Sequence, residues 1–235
     1  MTAAEILAQL KSMGAANVQR IFERHGVKEP GYGVRIGDLK TIQKKVKKNH
    51  ELALELYETG VSDARYLAGL IADEKAVTKT ELQHWLDTTE SSSIIEYTIP
   101  WLASESRYGW ELGKKWIAAK DAKTQTAGWA TLANLVALVV DIALDLPALK
   151  KLLQKVEAEI TTAPNRVRYV MNGFVISIGC YVEPLSNEAL EAGKRIGKVS
   201  VDMNGTGCKV PYAPDYIGKV ATKGMVGKKK KMARC

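Results

Sequence analysis

AKTQTAGWATLANLVALVVDI, residues 122–142, follows Asp121 and reads as one uninterrupted helix with a glycine in its middle. An interior helical glycine costs about 1 kcal/mol against alanine, so Gly128 needs a reason. The same arrangement, a small residue and glycine before a large apolar one, recurs as Ala68-Gly69-Leu70 and Asn172-Gly173-Phe174. Tyr57 and Trp116 stand at matching offsets before the first two glycine-containing triplets, and ELQHWL (81–86) echoes ELGKKWI (111–117). Recurrence of this kind suggests helices that approach closely in stacked repeats. The glycines lie 59 and 45 residues apart, close to the roughly 40–47-residue unit of HEAT-type arrays but irregular. A chance echo in a Leu/Ala-rich chain is the alternative.

Working outward, helical periodicity covers 3–12, a short segment around Val18, Ile21 and Phe22, then 36–48, 51–59, 63–73, 78–88, 93–104, 107–119, 147–160, 165–182 and 187–196. GVKEPGYGV (26–34) concentrates glycine and proline and is a loop. Gly60 with Ser62-Asp63, Ser106, Asp145 before Pro147, and Pro164 with Asn165 supply stops and caps. No pair of alternating runs around Asn-Gly marks a hairpin before residue 200. The expected fold is all-α, a HEAT-like helical-repeat superhelix over residues 1–197. Residues 198–235 form a basic, Gly/Lys-rich extension packed on it or trailing from it, anchored by Tyr212, Tyr216, Ile217 and Val220.

Charge is placed unevenly. Of 34 basic and 26 acidic side chains, eleven and two lie between Lys194 and Cys235, leaving 23 and 24 for the rest. Such an excess points to an anionic partner, with nucleic acid foremost, or to a solvated tail that aids solubility. Lys228, Lys229, Lys230 and Lys231 would neutralise phosphates without reading bases; Lys194, Arg195 and Arg234 extend the set. Arg166 and Arg168 open a helix, where they oppose its dipole. Either an external anion or a neighbouring carboxylate compensates them.

The composition, 46% hydrophobic, excludes whole-chain disorder. No apolar stretch reaches the roughly 18 residues of a membrane helix, and no secretory leader is visible. Cys180, Cys208 and Cys235 are too scattered for a zinc site and read as reduced thiols of a cytoplasmic protein, nucleoid-associated in a bacterium. Walker, dinucleotide-binding, HExxH and GxSxG patterns are absent. Glu96 lies among Ile94, Ile95, Tyr97 and Ile99; a carboxylate near apolar surface can stabilise positive charge or activate a water. The other reading puts it on the wet side of an amphipathic helix. The five tryptophans either stack on bases or fill helix interfaces.

PGYGVRIGDLKTIQKK (30–45), IIEYTIPWLASESRYGWELGKKWI (94–117), NRVRYVMNGFVISIG (165–179) and GCKVP (207–211) with KKKKMARC (228–235) together resemble the DNA alkylation repair family, HEAT-like proteins that include alkylpurine DNA glycosylases. The chain is similar to a short branch with a basic tail. The resemblance implies a double-stranded DNA partner, a monomer, and chemistry that needs no metal or cofactor. In active members a carboxylate flanked by tryptophans and an arginine faces an N3- or N7-alkylated purine nucleotide. The carboxylate position falls on Glu96, with Phe174, Trp129 and Tyr97 as pocket-lining aromatics. Ser91-Ser92 stand where those enzymes place a tryptophan, Thr126 near their arginine, and Phe174 at their second tryptophan. Three functions are open: a protein that binds damaged or distorted DNA without base excision, a glycosylase using Glu96, or a scaffold for a protein partner.

Overall fold

The computed structural model describes residues 1–234. Among them are thirteen α-helices and no strand, so the all-α reading holds. They pack as two compact units: Met1–Tyr108 with Asn204–Thr206 and Arg234, and Gly109–Met203 with Gly207–Ala233.

The first unit holds α1 (Ala3–Met13), α2 (Ala16–Arg24), α3 (Ile36–Val46), α4 (His50–Glu58), α5 (Ser62–Ile71), α6 (Lys79–Asp87), a π-helical turn (Ile94–Thr98) and α7 (Ile99–Glu105). Reciprocal capping boxes start two of them, Thr2 with Glu5 and Thr78 with Glu81. Helix α5 is the centre: every residue from Ser62 to Ile71 except Tyr66 is buried. Gly69 permits this, because a Cβ there would lie 2.3 Å from Thr98 Cγ2 on the π turn. Asp63, expected to help cap α5, instead accepts Tyr32 N–H at 2.6 Å and Val34 N–H at 2.8 Å. It fixes the 26–34 loop, whose amides have no ladder of their own.

The second unit holds α8 (Gly109–Ile117), α9 (Ala122–Leu138), a 3-10 turn (Asp141–Ala143), α10 (Leu146–Glu159), α11 (Asn165–Tyr181), a second 3-10 turn (Glu183–Leu185), α12 (Ser186–Ile196) and α13 (Ala213–Thr222). Asp121 and Asp145 cap α9 and α10 as expected. Asn165 does not cap α11: its side chain exchanges two hydrogen bonds with the Asp202 backbone, at 2.8 and 2.9 Å, and pins the following loop. Helix α13 lies inside the expected extension, with Ile217 buried and Tyr216 exposed. Gly179 makes room for it, since a Cβ there would meet Ile217 Cδ1 at 2.4 Å.

The glycine echo separates on inspection. At Gly128 a Cβ would sit 2.6 Å from the backbone nitrogen of Ile117, so α8 lies against α9 at backbone distance. Gly173 faces open space and marks no close approach. Gly128→Ala is therefore expected to destabilise the protein by about 1–3 kcal/mol through overpacking, whereas Gly173→Ala stabilises slightly through helix propensity. Urea midpoints of the two variants check the contrast.

The helical pattern through residue 142 also stops early. Helix α9 ends at Leu138 because the chain's own tail takes its last carbonyls: Lys229 Nζ donates to Val136 O at 2.9 Å and Lys230 N–H to Ala137 O at 2.8 Å. A helix C-terminus favours such cations and donors. The continuing residues turn a corner and leave Ile142 in solvent.

Candidate functional site

Glu96 occupies the π turn. Pro100 has no N–H to give the Glu96 carbonyl, as an α-helix would require, and the Ile99 N–H bonds Ile94 O one residue further back. The widened turn aims Ile94, Ile95, Glu96 and Thr98 inward and leaves Tyr97 42% exposed. Glu96 itself is 5% exposed, so it is not on a wet helix face. Insertions of this type recur at functional positions. Trp101, one turn on, packs beside Tyr97 at 6.0 Å and edge-on to Tyr66 at 5.5 Å. Tyr66 also lines a small cavity of about 50 Å³ with Phe22, Val34, Ser62, Asp63 and Ser93. That volume holds a few waters and is far below the roughly 300–1,000 Å³ of small-molecule sites.

The positions beside the carboxylate have other duties. Ser91 Oγ accepts Lys28 N–H at 2.9 Å and Glu29 N–H at 3.3 Å. Ser92 gives its N–H to Gly26 O and its hydroxyl to His25 O. Both serines thereby fasten the 25–29 segment. Glu29 completes the clasp, accepting from Thr89 Oγ1, the Glu90 amide and Arg65, the last at 3.1 Å. Arg65 is held in turn by the carbonyls of Tyr57 and Thr88 and lies 4.7 Å over the Tyr57 ring. Thr126, near the family's arginine position, is buried and donates to Ala122 O within its own helix at 2.7 Å.

Trp129 and Phe174 belong to the second unit, where both are buried with ring centroids 5.2 Å apart. They fill the α9–α11 interface and show no free face. Tyr97 alone of the three expected aromatics is accessible. Trp85 and Trp116 are likewise core, Trp85 stacked 4.0 Å from Tyr57.

The cations divide sharply. Arg234 is buried against Glu74 and Glu105, each at 2.9 Å. Lys229 is paired with Asp141 at 2.7 Å. These two serve structure, and the phosphate role expected of them does not fit their burial. Lys194 and Arg195 lie at the α12 C-terminus, in surface pairs with Glu191 and Glu157; such pairs are worth little and exchange readily. Arg166 lies over Tyr169 at 4.5 Å and reaches Met203 Sδ, and Arg168 is half-buried on the same first turn. Lys228, Lys230 and Lys231 are exposed, and so are Lys198, Lys209, Lys219 and Lys223. None of these seven forms an ion pair among the described residues, where Lys230 only overlies the Tyr181 ring at 5.3 Å. The last four were signalled by the charge count but not singled out from it.

Cys180 is buried, which pushes its thiol up to about 11 against the opposing field of Lys230. It is an inert thiol at neutral pH. Cys208 is exposed, and Cys235 lies outside the described residues. No cluster of metal-ligating side chains exists among the described residues, and no helix there is long and apolar enough to cross a membrane.

Comparison with known proteins agrees with this architecture. The chain is 35% identical over 216 residues to the uncharacterized protein Lin0241 of Listeria innocua serovar 6a, covering 90% of this chain and 93% of that one. It is 34% identical, over the same shares, to the uncharacterized protein Lmo0209 of Listeria monocytogenes serovar 1/2a. Its fold matches, with a TM-score of 0.91, 32% identity and 100% coverage of both chains, a structure described as "A new family of proteins related to the HEAT-like repeat DNA glycosylases with affinity for branched DNA structures". Residues 6–217 match the family described as DNA alkylation repair enzyme. The all-helical chain, HEAT-like in fold, therefore belongs to the DNA alkylation repair enzyme family.

Proposed function

We propose that this protein binds DNA, preferring distorted or branched forms to continuous duplex, and that it does so without excising bases. The observation that carries the DNA reading is the set of seven exposed lysines, 198, 209, 219, 223, 228, 230 and 231, gathered in the last thirty-eight residues and left without carboxylate partners among the described residues. Solvated, unpaired ammonium groups release phosphate counterions on binding, which is the main source of affinity for a polyanion. The fold match to a protein described by its affinity for branched DNA supports the preference for distortion. Residues 1–197 form the HEAT-like array in this reading and 198–235 its cationic extension, acting as a monomer.

The non-catalytic half rests on what replaced the family's constellation. Ser91 and Ser92 tie a loop, Thr126 bonds its own helix, and Phe174 is sealed in a core. Glu96 keeps a carboxylate, while the positions where the resemblance places the tryptophans and the arginine carry Ser91-Ser92, Phe174 and Thr126, each engaged in the fold.

Binding measured by fluorescence anisotropy on a linear duplex and on a four-way junction, beside base release from N-methylated duplex, tests this. Tight, salt-sensitive binding with junction preference and no base release is expected. Release of N3- or N7-methylpurine that vanishes in Glu96→Gln would instead establish a glycosylase. Failure to bind either DNA at low salt would leave the helical array as a protein-binding scaffold.

A further inference from the structure

The corner that ends α9 presents two apolar side chains to solvent. Ile142 is 97% exposed and Val140 56% exposed. Single exposed apolar side chains are ordinary; a rigidly mounted pair set beside a cationic tail segment is not. The 3-10 turn closes through Ala143 N–H to Val140 O and Leu144 N–H to Asp141 O, both at 3.0 Å. Asp141, directly before Ile142, is gripped from two sides, by Lys229 Nζ at 2.7 Å and by the Glu183 N–H at 3.1 Å. Asp145 then caps α10. The backbone of the tip is thus fixed on both flanks while its side chain stands free, and a β-branched isoleucine has little rotamer freedom left to lose.

The same tail segment that grips the corner supplies its electrostatic surroundings. Lys229 holds Asp141, Lys230 N–H holds Ala137 O, and the side chains of Lys228, Lys230 and Lys231 are exposed around them. Against these three lysines the turn segments themselves carry two exposed acids, Asp145 and Glu183, with Asp141 already neutralised. Two side chains are too little apolar surface for a stable protein interface, which buries roughly 1,200–2,000 Å². A small apolar tip between phosphate-binding cations matches one occupant well: an opened base stack.

We propose that Ile142, supported by Val140, is a wedge that enters the base stack at a DNA branch or discontinuity while Lys228, Lys230 and Lys231 hold the flanking phosphates. Apolar wedges of this kind part base steps at a cost of a few kcal/mol. At a branch point the stack is already interrupted, so the wedge gains contact there without that cost and gains none on continuous duplex. This proposal rests on the DNA-binding reading and assigns the structural preference within it to one residue.

The test compares wild type, Ile142→Ala and Ile142→Met on a linear duplex and on a four-way junction carrying 2-aminopurine at the branch. Ile142→Ala is expected to weaken junction binding about tenfold and linear binding less than twofold. The 2-aminopurine fluorescence rise on wild-type binding should be lost in Ile142→Ala and kept in Ile142→Met. Because Ile142 touches solvent, melting temperatures should be unchanged. An unchanged junction-to-duplex ratio in Ile142→Ala, with wild-type DNA binding intact, overturns the wedge alone. Absence of wild-type binding to either DNA removes the underlying reading as well.

Discussion

Arg234→Ala is expected to lower stability by about 3–5 kcal/mol, because it removes a buried guanidinium shared by two largely buried carboxylates, of which Glu74 keeps Lys48. Within the first unit the guanidinium reaches Glu74 Oε2 and Glu105 Oε2 at 2.9 Å and donates to the carbonyls of Ala72, at 2.9 Å, and Leu70, at 3.3 Å. Its side chain is only 7% exposed, and those of Glu74 and Glu105 are 17% and 12% exposed. Without it the carbonyls of Leu70 and Ala72 lose this donor and both acids lose its charge, with Lys48 remaining beside Glu74. For a protein of this size such a loss lowers the melting temperature by roughly 10 °C. Lysine at 234 should restore only part, since a single ammonium cannot fork to two acids and two carbonyls. Equal melting temperatures for Arg234→Ala and wild type would show that the socket contributes nothing.

The same socket has an acid signature. Burial alone raises the Glu74 carboxyl, but the hydrogen bond from Lys48, its own amide, and the charges of Arg234 and Lys48 outweigh it and hold the group below its ordinary 4.5. A carboxylate depressed in the folded state contributes stability above its unfolded pKa and loses it as pH falls through the folded value. Wild type should lose this increment on acidification below about 4.5, and Arg234→Ala should lose less of it because part of the depression is already gone. Hydrogen exchange at residues 70–74 across that range reads the difference locally.

Much of the fold was legible because helices announce themselves twice, by period and by punctuation. Asp121 and Asp145 cap where the sequence puts them, and the boundaries of α4, α8 and α12 fall within a few residues of their apolar patterns. Gly69 and Gly128 carried real information, since both mark close approach. What period cannot show is an interaction brought from far along the chain. The end of α9 is set by Lys229 and Lys230, some ninety residues downstream, and the apolar run LVALVV gives no hint of it. Asn165 looks like a cap and is a loop anchor for the same reason.

The candidate site was legible in a narrower way. Glu96 was visible as an acid among isoleucines, and its burial answers the question that spacing left open. The π turn accompanies Pro100, which leaves the Glu96 carbonyl without its α-helical donor, a signal carried by the sequence itself. The serines were harder. A serine in place of tryptophan reads as a deletion, yet Ser91 and Ser92 are fully engaged in fastening the 25–29 segment. An aromatic at either position would forfeit that clasp, so a single substitution there exchanges a loop anchor for a stacking surface.

The four consecutive lysines give the sharpest contrast, because the sequence makes them equivalent and the structure does not. Lys228, Lys230 and Lys231 are exposed, whereas Lys229 is tucked against Asp141, Val136 O and Tyr181 O. If each exposed lysine neutralises one phosphate, replacing all three by alanine should reduce the slope of log affinity against log salt by about 2.7 and weaken duplex binding about a hundredfold at 0.15 M salt. Melting temperature should hardly move, as surface cations add little to stability. Lys229→Ala should do the reverse: it takes a donor from two carbonyls and the cation from Asp141, so the melt falls while the salt slope stays near wild type. A triple variant with an unaltered slope would remove the tail from the DNA contact, and the affinity would have to reside in Lys198, Lys209, Lys219 and Lys223. One run of identical residues thus supplies both the clamp that shapes a corner and the charge that surrounds it, and only substitution position by position separates the two.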